Sequence, residues 1–148
     1  MSIKIEHTEF AKGKAETVWK FWSDVSTWSL WDLGLEWCKL KKGHAFQLYG
    51  EASLLPTGAP APLDVRITEC TPNKSFTDEA KMELGFILVS HEVIPHKTGV
   101  KITHCFQYTP LNPEAETVFR QRMFLKLKEK WPETVKTLAR LVEKEEVK

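Results

Sequence analysis

What this sequence has little of narrows it first. Its three cysteines, Cys38, Cys70 and Cys105, are odd in number, widely spaced and form no Cys-x-x-Cys. That excludes a disulfide framework and suits reduced, small hydrophobes in a cytoplasmic protein. A surplus of either charge is missing as well: 21 Lys plus Arg stand against 20 Asp plus Glu. Nothing in that balance points to nucleic acid or to an anionic membrane. No apolar run is long enough to span a bilayer, and the opening Met1–His7 segment lacks the apolar core of a signal peptide. There is no glycine-rich phosphate loop, and Ser23, Ser53 and Ser90 have no nucleophile-elbow context. Without repeats, low-complexity stretches or an internal boundary, residues 1–148 read as one domain.

What is present is apolar periodicity and tryptophan. Phe124, Leu127, Trp131, Val135, Leu138 and Val142 recur at steps of three and four, and Lys126, Lys130, Glu133, Arg140 and Glu143 take the other face. The spacing predicts a long amphipathic helix over Asn112–Glu146. Asn112 suits the N-cap, Pro113 the first helical position, and Glu114 and Glu116 the positive end of the dipole. Pro132 is expected to kink or divide the helix near Trp131. Upstream, Ser2–Phe10 alternates as a half-buried strand, and Ala15–Ser23 and Asp24–Asp32 predict two short helical pieces. The period then falls to two, giving strands at Leu35–Lys41, Ala45–Ser53, Leu63–Cys70, Ser75–Lys81, Phe86–Ile94 and Val100–Tyr108. Leu55–Pro62, with three prolines and a glycine, is expected to be an extended loop. The order makes an α+β fold, a curved sheet gripping one helix.

The stretch Val18-Trp19-Lys-Phe-Trp22-Ser-Asp24-Val-Ser-Thr-Trp28-Ser-Leu-Trp31-Asp32 resembles the start of the polyketide cyclase/dehydrase group of the START-like (SRPBCC) superfamily. Val65–Glu69, Ser75–Glu79, Ser90–Val93, Gly99–His104 and Pro132–Leu138 continue the resemblance in the same order over nearly the whole chain. It implies a helix-grip fold, a curved seven-stranded antiparallel sheet wrapped around the C-terminal helix with a hydrophobic cavity between them. Where many relatives have a short glycine-proline turn before the last helix, this chain has Thr109-Pro-Leu-Asn-Pro113 and a polar Glu114–Arg122 segment. The superfamily holds carriers, receptors, cyclases and co-chaperones, so fold alone does not select a function.

The sharpest local expectation concerns two histidines. If Val93 opposes Ile102, His91 opposes His104 and Val89 opposes Phe106, with an uneven loop or bulge; a register one residue off pairs Ser90 with His104 instead. Side by side, the imidazoles can orient a ligand or move a proton, or they are core histidines satisfied by backbone groups. No third ligand accompanies them for a metal, and no cofactor is implied. Trp19, Trp22, Trp28 and Trp31 either floor a cavity or pack the short helices on the sheet. Asp78 and Glu79, with Arg66 on the preceding strand, are expected to face outward by default; inward they would hold a polar head group. The expected ligand-facing residues are therefore His91, His104, Phe106, Phe124, Leu127, Trp131 and Trp28. Three functions fit: a monomeric or homodimeric binder of a small hydrophobic or aromatic molecule, a cyclase- or dehydratase-type enzyme using a cavity histidine, or a protein-interaction module.

Overall fold

The computed structural model describes residues 2–148. The N-terminal alternation forms β1 (Ile3–Ala11), with Ile3, Ile5 and Ala11 buried. After Lys12–Lys14 the chain enters α1 (Ala15–Ser23), which turns Val18 and Trp22 inward. A single 3-10 turn, Val25–Thr27, begins where the Asp24 carboxylate accepts the Ser26 N–H, and α2 (Trp28–Trp31) follows. The remaining strands are β2 (Leu35–Leu40), β3 (Glu51–Pro56), β4 (Leu63–Thr71), β5 (Ser75–Met82), β6 (Gly85–His96) and β7 (Gly99–Pro110). All seven join one antiparallel sheet in the order β1-β7-β6-β5-β4-β3-β2. Since β1 and β2 lie at opposite edges, α1 and α2 carry the chain across from one edge to the other. Register shifts in β2–β3 near Trp37 and in β4–β5 near Thr68 add twist and bend the strands, which helps the sheet curl.

The terminal helical segment has three parts: α3 (Pro113–Phe119), a π turn at Arg120–Phe124, and α4 (Leu125–Glu146). Asn112 accepts the Ala115 N–H at 2.8 Å and Pro113 stands in the first turn, as the sequence predicts. Asn112→Ala removes that acceptor and is expected to cost about 1 kcal/mol, readable as a small fall in the urea midpoint. Along α4, Trp131, Val135, Leu138 and Val142 are buried, with Thr134 and Ala139 beside them. This stripe packs on β1 and on α1 and α2, completing a helix-grip architecture with the core between sheet and helix.

Three local expectations need correction. The third strand is Glu51–Pro56 rather than Ala45–Ser53. Before it the backbone folds back so tightly that a Cβ on Gly50 would stand 2.0 Å from the Ala45 carbonyl oxygen, and Tyr49 adopts φ 68°. Phe46 therefore turns in to pack on Trp19 and Phe76, while Leu48 stays exposed. Pro132 does not divide the helix, since α4 runs through it without interruption. The carbonyl it deprives of a partner is that of Lys128, an exposed residue open to water. The break from α geometry is the upstream π turn. Finally, the β6–β7 hairpin needs no bulge: pairing is regular from Gly85↔Pro110 to His96↔Gly99, around a two-residue turn with Lys97 at φ 54°.

Candidate functional site

The regular hairpin places His91 opposite His104, Val93 opposite Ile102 and Val89 opposite Phe106. Both imidazoles are buried, 4.6 Å apart between ring centroids and edge to face. His91 lies flat on Phe76 at 3.8 Å, and its Nδ1–H donates to the Phe76 carbonyl at 3.1 Å. That leaves Nε2 as the bare acceptor of a neutral ring. His104 Nε2 accepts the Trp22 indole N–H at 3.2 Å, which puts its own proton on Nδ1. Burial pushes the His91 imidazole down to about 3, its bond to Phe76 opposing. It also holds His104 well below the usual range, helped by the neighbouring imidazole of His91. Both rings are therefore neutral at physiological pH.

These histidines stand in the wall of a cavity of about 190 Å³ between the sheet and α4, open to the surface near Asp32 and Gly34. Trp28 and Trp31 from α2, Phe106 from β7 and Leu127 and Trp131 from α4 line it too. Trp131 is fixed by its indole N–H donating to the His104 carbonyl at 2.8 Å, and Trp28 by a bond of the same length to the Trp22 carbonyl. The Trp31 indole N–H is buried with no acceptor. Trp19 and Trp22 do not reach the lining; they pack against Phe76 behind it. Phe124 is outside it as well. The π turn directs its ring to Phe119, with the Arg120 guanidinium above it, so the helical periodicity that assigned it to the cavity face is broken there.

Two carboxyl groups complete the wall. Phe76, Asp78 and Ala80 share the buried face of β5, and Asp78 is only 6 % exposed, contrary to the outward default. Glu79 and Arg66 do point away, opposite one another on adjacent strands, with Arg66 over the Tyr49 ring. Asp78 has no hydrogen bond or ion pair to any described residue. Burial, with the nearby Asp32 charge adding to it, pushes its carboxyl up to about 8. Asp32, half-buried in the α2–β2 connection, is raised by burial too, opposed by the Gly34 N–H donated to its Oδ1 at 3.1 Å. Sequence periodicity held a signal for Asp78, since it sits two residues from Phe76. For Asp32 it held none. Among the described residues no group of three His, Cys, Asp or Glu is placed to hold a metal ion.

A second hollow of about 250 Å³ adjoins the first through Ile87, which lines both. Ala115, Val118 and Phe119 of α3 form one wall, Tyr108 another, and Met82, Leu84 and Met123 lie at its partly exposed edge. The segment read as polar from Glu114 to Arg122 thus carries an apolar face of its own.

The whole-chain architecture is widely shared. A protein of unknown function from Staphylococcus aureus superimposes with a TM-score of 0.74 at 7 % identity, covering 100 % of this chain and 98 % of that one. Norcoclaurine synthase from Thalictrum flavum gives 0.73 at 12 % identity, covering 99 % and 97 %. A Thermus thermophilus protein gives 0.74 at 10 % identity, covering 95 % and 97 %. At such identities the likeness is one of fold. No curated protein matches the chain, and no helix among the described residues is long and apolar enough to cross a membrane. At the level of sequence, residues 12–143 match the family described as Activator of Hsp90 ATPase homolog 1-like protein. With nearly the whole chain matched and the helix-grip fold in place, this protein belongs to that family, which is of the START/SRPBCC type.

Proposed function

We propose that the protein binds a small apolar or aromatic molecule in the cavity between the sheet and α4. The observation that carries this is the character of the space, a pocket walled by Trp28, Phe106, Leu127 and Trp131 and interrupted by the polar side chains of Asp32, Asp78, His91 and His104. Apolar walls supply affinity, and a few convergent polar atoms fix orientation. Membership of a family whose fold commonly holds hydrophobic ligands supports the same conclusion. The second hollow beyond Ile87 offers room for a longer molecule or a way in.

Native mass spectrometry of the protein purified from its own host tests this directly. A mass that leaves on denaturation is the expected result. Leu127→Trp, which puts an indole into the void, is expected to weaken binding of single-ring aromatics by about 10–100-fold, in line with the usual cost of overpacking. Empty wild-type protein, with no thermal shift from such molecules, would count against a ligand cavity.

A cyclase- or dehydratase-type reaction is the second reading. It is favoured by the presence in one cavity lining of a carboxyl raised to about 8 at Asp78 and a neutral imidazole at His91, groups suited to acid–base chemistry. An enzyme would lose turnover in His91→Gln while still binding ligand. A carrier would show no turnover to lose.

A further inference from the structure

Resting on the cavity proposed above as a binding site, we propose that its preferred occupant is a compact monocation, one aromatic ring bearing a short alkylammonium held by Asp32 and Asp78. The charge inventory points there. Asp78 shares the cavity lining with Asp32 from the α2–β2 connection and with the imidazoles of His91 on β6 and His104 on β7, and the Cys38 thiol of β2, outside the lining, lies within reach of both carboxyl charges. Thr134 of α4 lines the same space without a charge. The thiol is pushed up to about 12 by burial, with Asp78 and Asp32 adding to it, and both imidazoles are neutral. No Lys or Arg among the described residues lines the cavity, and neither carboxylate has an ion-pair partner. Ionising Asp78 beside Asp32 without a cation is costly, which keeps the Asp78 proton in place, and an incoming positive charge removes that cost.

Independent atoms around the pair also ask for a ligand. The Trp31 indole N–H, 2 % exposed, has no acceptor. His91 Nε2 is an acceptor without a donor. An alkylammonium carries three donors, enough for Asp78, Asp32 and His91 Nε2, and Trp31 remains for an oxygen on the ring. Size sets the rest. A void of about 190 Å³ exceeds only modestly the roughly 150 Å³ that accommodates benzene in an apolar core. One ring and a short chain fit, and the tryptophan faces add cation–π attraction.

Because the ammonium needs Asp78 ionised, its binding at neutral pH displaces the Asp78 proton to solvent. Calorimetry with 2-phenylethylamine and its uncharged analogue 2-phenylethanol, run from about pH 6 to 8, separates the possibilities. The amine is expected to tighten by up to about tenfold per pH unit and to release close to one proton per site at about pH 7, seen as a buffer-dependent heat. It should outbind the alcohol by at least about tenfold at about pH 8, and Asp78→Asn should bring that preference to within about threefold of unity. If the alcohol binds and the amine binds no better, or without pH dependence, the cation proposal is overturned while the apolar cavity stands. If neither binds, both fall.

Discussion

Trp22→Ala brings the protein close to unfolding. The side chain is fully buried, and its ring stands 5.5 Å from Phe76, 5.8 Å from His91 and 5.9 Å from His104. Truncating a buried tryptophan costs about 3–5 kcal/mol. Here the cut also strips the donor from His104 Nε2, and an orphaned buried acceptor costs a further 1–3 kcal/mol or so. Against a typical total of about 5–15 kcal/mol, that consumes much of the margin. Trp22→Phe keeps most of the packing and loses only the indole N–H, so it should fall near the smaller figure. Urea titrations of both variants check the pair. An alanine variant within about 1 kcal/mol of wild type would mean that the aromatic cluster is not the keystone described.

Asp78→Asn has the opposite sign and comparable size. The Asp78 carboxyl titrates ordinarily at 3.8 and in the folded protein at about 8. The folded state therefore keeps a proton that the unfolded chain gives up. Stability from this group is fully present below pH 3.8 and is lost as pH rises toward 8, at roughly 1.4 kcal/mol per unit. His91 acts the other way: its folded value of about 3 lies below the ordinary 6.5, so stability is lost as pH falls beneath 6.5. Wild type should therefore weaken between about pH 6.5 and 8, a window in which Asp78→Asn stays flat. At pH 8 the asparagine variant should be more stable by an amount on the order of 5 kcal/mol. Thermal melts across this range read it directly, since 1 kcal/mol moves Tm by about 2–4 °C at this chain length. A wild-type profile as flat as that of the variant would show that Asp78 is ionised in the folded state.

Much of the architecture was legible in the sequence because it depends on periodicity. The stripe from Trp131 to Val142 specified the buried face of α4, since each residue of a helix advances the face by a fixed angle. Of the two registers left open at His91 and His104, the structure takes the one that keeps Val89, Val93, Ile102 and Phe106 on one side, which a one-residue slip would have destroyed. Capping at Asn112 was equally local. Periodicity misled where the backbone left its regular form: at Gly50, where a tight reversal replaced a strand, and at Arg120–Phe124, where a π turn removed Phe124 from the cavity face.

The sequence by itself determined the order of the elements and the buried stripe of α4, because these follow from spacing along one chain, and it narrowed the pairing of the two histidines to two registers. Only the tertiary structure decided that Asp32, from a connection after α2, meets Asp78, from the middle of the sheet, in the same void as Trp31 and His91. In sequence only the spacing of Asp78 from Phe76 hints at burial, and nothing marks Asp32. The Asp78 carboxyl is raised because it is withdrawn from water with the Asp32 charge nearby, and desolvation is a property of the assembled environment that no local pattern encodes.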